Sequence, residues 1–213
     1  MKILLTSVEP ALTEAWKRHC GHIKCVEVVD CSMLDVDADA LVSPANSFGF
    51  MDGNLDYLLR EYFGHGIETR LQGIIQNDHH GELPVGQAVL LMTGHSRHPL
   101  MISAPTMRVP SDVSLTVSPY LAARAAILKF SMWEFNQREL AYQTTEAHGA
   151  HFLTGNELEY TIAFPGLGTG CGAVPPDRCA RQMAQAIQSL ALGVFGPDSW
   201  RAAQDDHFEM ING

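Results

Sequence analysis

The segment Leu41 to Asp56, LVSPANSFGFMDGNLD, constrains this chain more than any other. An apolar, strand-like run breaks into a loop rich in Gly and Asn and then enters the amphipathic pattern LDYLLREYF. Asn46, Gly49, Gly53 and Asn54 tolerate positive φ and close backbone approach, and such a loop turns successive N–H groups toward an anion. Asp56 stands where a helix N-cap is expected. A second loop of the same kind follows far downstream. There TIAFPG reads as a buried strand, glycines stand at 166, 168, 170 and 172, and PPDRCARQMAQAIQSLA starts a helix on proline. Two glycine loops, each joining a strand to a helix, predict a clamp for a phosphate-bearing ligand.

The remaining chain alternates strands and helices. Strands are expected at KILLTSV, IKCVEVVD, ADALVSP, GQAVLLMTG, PLMISAPT and TIAFPG. Helices are expected around ALTEAWKRHC, from Leu55 to about Asn77, over Tyr120 to Thr145, and after Pro175, with EAHGAHFLTGNELEY as loop. This alternation predicts a three-layer α/β/α domain with a mixed, largely parallel central sheet and its ligand loops at the C-terminal strand ends. One domain over residues 1–194 with a C-terminal extension over 195–213 is the simplest division. The extension, GPDSWRAAQDDHFEMING after Phe195, is polar with scattered aromatics, and both a packed addition and a frayed end are open to it.

Charge and composition narrow the partners. The 14 basic residues stand against 24 acidic ones, a net charge of −10, which speaks against a broad nucleic-acid surface. A small nucleotide needs no such excess of cations, because helix N-termini and loop amides neutralise phosphate locally. No apolar run approaches the ~18 residues of a membrane span, and the N-terminus lacks a signal-peptide pattern. Five cysteines without a C-x-x-C pair fit reduced thiols in a cytoplasm, and Cys25 and Cys31 read as small core residues. The cluster NDHHGE, residues 77 to 82, holds metal-ligating residue types, but adjacent side chains seldom point at one ion; it reads as a solvated loop, and no metal or cofactor is expected. No G-x-S-x-G elbow surrounds Ser43, Ser47 or Ser103.

With those loops in view, the chain resembles a macro domain. In that family the first loop runs from an Asn through a Gly-rich turn to an Asp ten residues on, the spacing of Asn46 and Asp56. The family's Phe-Pro…Ser/Thr-Gly segment is matched by Phe164, Pro165, Thr169 and Gly170, and LPVGQAVLLMTG, HPLMISAPT and YLAARAAILKF are similar to its central strands and following helix. The resemblance spans most of residues 20 to 192. It implies a cleft for ADP-ribose or a related NAD-derived nucleotide, free or on an ADP-ribosylated macromolecule.

Residue by residue, the resemblance gives Asp30 the adenine amino group, with the amide of Cys31 beside it; an N-cap or turn role is the alternative, and Asp35, Asp37 and Asp39 read as solvated turn residues. Asn46 would hold the distal ribose, or close an Asx turn. Gly53, Asn54 and Leu55 would border the phosphates, as would Gly168, Thr169, Gly170, Cys171 and Gly172. Asp56 would activate water at the anomeric carbon, cap its helix, or both. Two departures stand out. Asp52, Gly53, Asn54 and Leu55 replace the family's usual glycine run, and Cys171, Gly172, Ala173 and Val174 stand where an aromatic usually flanks the ligand, leaving Phe48 and Phe50 for stacking or for anchoring the loop. The activity implied is hydrolysis of ADP-ribosyl linkages by Asn46 and Asp56. The alternatives are a non-catalytic reader of ADP-ribose or another NAD-derived nucleotide, and a phosphatase acting on ADP-ribose 1″-phosphate.

Overall fold

The computed structural model describes residues 1–147, 159–191, 193 and 196–212. Six strands, β1 (Lys2–Thr6), β2 (Val26–Val29), β3 (Ala40–Ser43), β4 (Val89–Met92), β5 (Leu100–Ser103) and β6 (Thr161–Phe164), form one sheet in the order β2-β1-β6-β3-β5-β4. All pairs are parallel except β4 with β5. Among the described residues there are six α-helices, α1 (Pro10–Cys20), α2 (Asn54–Phe63), α3 (Gly66–Asp78), α4 (Ser118–Ala147), α5 (Pro176–Ala191) and α6 (Trp200–Asn212), and a 3-10 turn at Met33–Asp35.

The inner strands are short and mostly apolar because both of their faces are buried, and alternate residues serve different cores; β2, at the edge, is only partly buried. Ile3 and Leu5, Ala40 and Val42, Leu100 and Ile102, and Ile162 and Phe164 join α1, α4 and α5 in one core that includes Trp16, Phe130 and Met183. Leu4, Leu41, Met101 and Ala163 point the other way, onto Leu59, Ile67, Leu71 and Ile75 of α2 and α3. The three layers follow from that alternation.

One expectation changes and two others gain detail. Asp39 is not a solvated turn residue: its carboxylate accepts from the amide of Thr161 at 2.7 Å, tying β3 to the start of β6. Asp37 is exposed but pairs with Arg97 at 2.5 Å. The C-terminal extension contains a helix packed on α5, where Gln182 Nε2 donates to the Met210 carbonyl at 3.1 Å and Gln185 Nε2 to Asp206 at 2.6 Å. Most of the expected loop after α4, residues 148–158, lies outside the described residues. The NDHHGE segment begins inside α3 and leaves it through His80 and Gly81, both at positive φ (53° and 89°). Among the described residues no group of His, Cys, Asp and Glu is placed to hold a metal ion, and no helix is long and apolar enough to cross a membrane.

Candidate functional site

The five strands that run parallel end on the same side of the sheet, and the segments leaving them enclose a cavity of about 1090 Å³. Thr6 to Glu9 at the end of β1, Cys31 to Met33 after β2, parts of Pro44 to Asp56 after β3, Thr106, Met107, Val109 and Pro110 after β5, and Pro165, Gly166 and Gly168 to Gly172 after β6 supply nearly the whole lining. β4, which runs the other way, supplies none. This is the position in which open α/β sheets bind ligands.

The first loop is folded by its own asparagine. Asn46 Nδ2 donates to the Phe50 carbonyl at 2.7 Å, while its Oδ1 accepts from the amides of Phe48 at 3.0 Å and Phe50 at 3.3 Å. Gly49 completes the bend with φ +72°, and a Cβ there would strike Ile75 Cδ1 at 2.9 Å. A second clamp fixes the far side of the loop. Arg60, whose side chain is 14% exposed, bonds Asp52 at 2.6 Å and Glu68 at 3.1 Å, and Glu68 in turn accepts from the Met51 amide at 2.9 Å. Asp52, the extra carboxylate of this loop, therefore reaches the cavity wall already paired with a cation. Phe48 lies beneath Arg108, which sits 5.1 Å from its ring centroid, whereas Phe50 is 56% exposed at the cavity mouth.

Asp56 does not cap α2. The helix begins at Asn54 with Gly53 as its N-cap, and the Asp56 carboxylate turns inward, where Oδ1 accepts the hydroxyl proton of Ser43. Both residues are buried, Ser43 completely and Asp56 to 8% exposure, and Asp56 still borders the cavity. Burial pushes its pKa up to about 6; the Ser43 hydrogen bond opposes that rise and the nearby Glu68 charge adds to it. No cation pairs with Asp56 among the described residues.

The second loop is a tight, glycine-dependent turn. Gly168 has φ +72°, its carbonyl accepts from Val174 N at 3.0 Å, and the Gly172 carbonyl accepts from Val113 N at 2.9 Å. A Cβ on Gly172 would sit 2.5 Å from the Gly168 carbonyl oxygen, so only glycine fits there. Gly170 is different: it is exposed, and a Cβ on it would meet only Asn54 Nδ2, at 3.0 Å. Asn54 has φ 41°, and it is where the two loops touch.

Of the residues singled out in the sequence, Cys31, Asn46, Gly53, Asn54, Leu55, Asp56, Gly168, Thr169, Gly170, Cys171 and Gly172 border this one cavity. Asp30 and Phe164 do not. Asp30 is exposed at the end of β2, and Phe164 is completely buried in the core beneath the second loop. Cys31 is a cavity-wall residue and not a core one, with burial raising its thiol pKa. Sequence reasoning missed Ser7, Glu9, Met107 and Val109, which carry no motif, and the partnership of Ser43 with Asp56, which only the packing of β3 on α2 creates.

Comparison with known proteins accords with this geometry. The macro domain family profile matches residues 42–183, from the end of β3 to the middle of α5. The chain belongs to the macro domain family. A related sequence, an uncharacterized protein of Aquifex aeolicus (strain VF5), is 32% identical over 165 residues, covering 78% of this chain and 82% of its own. Among solved structures, an Oceanobacillus iheyensis macrodomain with ADP superimposes with a TM-score of 0.51 at 14% identity, covering 82% of this chain and 84% of that one. Thermosipho africanus DarTG in complex with ADP-ribose gives a TM-score of 0.52 at 13% identity; it covers 87% of this chain, which spans half of that longer one.

Proposed function

We propose that this macro domain binds ADP-ribose and hydrolyses a bond at its distal anomeric carbon, with Asp56 as the base. One observation carries the reading: a buried carboxylate, without a cation partner among the described residues, faces a cavity walled by two glycine loops. The family membership supports the ligand, as do the macrodomain and DarTG structures that hold ADP and ADP-ribose. The roles divide among the loops. Backbone N–H groups of the second loop and of Gly53 and Asn54 take the diphosphate, close to the N-terminus of α2. Asp56 takes a proton from water as the new C–O bond forms and the linkage to the leaving group breaks; the leaving group then gains its proton from Asp56 or solvent. A carboxyl with pKa about 6 is ionised at neutral pH yet remains a stronger base than a surface aspartate. Asn46 serves here by shaping the loop that holds the ribose. Five free cysteines fit a reducing compartment such as the cytoplasm.

A reader without turnover is the second reading, favoured by the same Asn46, whose amide is bonded within its own loop. Release of ADP-ribose from mono-ADP-ribosylated protein and nucleic acid separates the two. Asp56→Ala is expected to cut release by ~10²-fold or more while ADP-ribose affinity stays within a few fold, because water activation acts in the transition state. Wild-type release equal to a protein-free blank on every linkage, with ADP-ribose bound, would leave the reader.

A further inference from the structure

We propose that this protein pairs with a second copy of itself through the outer face of α4, the two helices running antiparallel. The inner face of that helix is already used. Ala123, Ala126 and Phe130 lie in the core, and Trp133 stacks on Phe130 at 5.5 Å and meets Tyr160 edge-on at 5.0 Å. On the other side Leu128, Met132 and Phe135 follow one another at spacings of four and three, so they share one stripe, and they are 44%, 64% and 62% exposed. A helix with a single core to cover turns polar side chains outward at such positions. A contiguous apolar stripe facing solvent marks a contact surface instead. α4 supplies no residue to the cavity described above, so this surface is separate from the ligand site.

The charges that flank the stripe point to a copy of the same helix as its partner. Arg124 stands four residues before Leu128 and Glu139 four residues after Phe135, so both pairs are centred on one point, between Ser131 and Met132. Spacings of four, seven and four keep all four side chains on one face. When the helix is laid antiparallel on its copy about that point, Leu128 of each copy meets Phe135 of the other and Arg124 of each meets Glu139 of the other. The two Met132 side chains then meet at the two-fold axis, with the small Ser131 leaving them room. A parallel pair would set Arg124 beside Arg124 and Glu139 beside Glu139. Both charges are available: neither Arg124 nor Glu139 enters an ion pair among the described residues, whereas Glu134 is taken by the amine of Met1 at 3.2 Å and by Arg138 at 2.9 Å. Such an isologous contact closes with two copies. Three apolar side chains from each copy cover less than the ~1,200 Å² of stable complexes, which places association in the micromolar range or weaker.

Sedimentation velocity of the full chain, over a concentration series from micromolar to millimolar, tests this, with circular dichroism to confirm that each variant is folded. The wild type is expected to pass from monomer to dimer within the series and to go no further. Phe135→Ser, a change at an exposed position, is expected to weaken the dimer at least about tenfold. Arg124→Glu and Glu139→Arg each bring like charges together at both ends of the stripe, and each is expected to weaken it several-fold at low salt and less at high salt. Combining Arg124→Glu with Glu139→Arg restores both attractions in the antiparallel arrangement and should recover the association of the wild type. A wild type that stays monomeric throughout the series would overturn the proposal and leave the stripe to a different partner. So would a dimer that Phe135→Ser does not weaken, or a double variant that associates no more tightly than the single ones.

Discussion

The hydroxyl of Ser43, the last residue of β3, donates to the carboxylate of Asp56 in the first turn of α2, so the one buried acid of the cavity is fastened to the sheet instead of to its own helix. One carboxylate oxygen is used in this bond and the other is left for the cavity. The pairing sets both the direction of Asp56 and its proton affinity, and each has a measurable consequence.

Asp56 makes stability depend on pH. Its folded pKa of about 6 lies above the usual 3.8, so the folded state holds the proton more tightly than the unfolded chain does. The contribution is present in full below the unfolded value and is lost as pH rises through about 6. Asp56→Asn, which carries no charge to desolvate, is expected to gain stability relative to wild type across that window, on the order of 2–3 kcal/mol at neutral pH. Urea unfolding at several pH values checks it. A constant difference between the two proteins from pH ~4 to ~7 would refute the assignment.

Removing the Ser43 hydroxyl leaves Asp56 buried without its donor, which raises the pKa further. With Asp56 as the proposed base, the acid limb of the pH–rate profile in Ser43→Ala is therefore expected to move upward from about 6, with the plateau rate reduced because the carboxylate is no longer oriented. Ser43→Thr keeps a hydroxyl and should recover the limb. Superimposable profiles for wild type and Ser43→Ala would mean that the hydrogen bond does not tune the base.

The exposed Gly170 and the buried Gly172 of the second loop should respond differently. Gly170→Glu places a carboxylate beside Asn54, in the gap where phosphate would lie, at an exposed glycine whose added Cβ would meet only the end of the Asn54 side chain, at 3.0 Å. It is expected to abolish ADP-ribose binding and leave the melting temperature nearly unchanged. Gly172→Ala drives a Cβ to 2.5 Å from the Gly168 carbonyl and is expected to lower stability by about 1–3 kcal/mol as well as affinity. Calorimetry beside thermal melting distinguishes them; unchanged affinity in folded Gly170→Glu would rule out this loop as the phosphate cradle.

Asn46→Ala removes three hydrogen bonds from the first loop at once. A loss of about 1–3 kcal/mol of stability is expected, together with weaker ADP-ribose binding, since the loop loses the turn that shapes it. Asn46→Asp, able to accept from Phe48 and Phe50 but not to donate to the Phe50 carbonyl, should fall between. Affinity retained in Asn46→Ala would show that the loop holds its form without this side chain.

The layers were legible in the sequence because parallel strands buried on both faces must be mostly apolar, as ALVS, LMIS and TIAF are but for one terminal Ser or Thr each, and because the helices between them carry their own period. The loops were legible because glycine at 168 and 172 answers a backbone requirement that no other residue meets. What remained hidden depends on contacts across the fold. Asp56 sits where caps sit, yet its carboxylate is claimed by a hydroxyl 13 residues away in the chain, which no local preference reveals. Glu9 and Val109 reach the cavity only because β1 and β5 end beside β6 and β3. α6, whose pattern is polar, is held by amide side chains of α5 and so left no strong apolar trace.

The two glycine loops leave β3 and β6, and these strands are hydrogen-bonded neighbours, with Ala40 opposite Ile162 and Leu41 opposite Ala163. Strand separation in a sheet is a near-constant of about 4.8 Å. The width of the cradle is thus set by peptide geometry and by a buried core, and neither loop has to find the other when a ligand arrives. Association should carry a small ordering entropy and proceed without a slow closing step, and mutations that loosen the sheet beneath the loops should lengthen the search before they change the contacts.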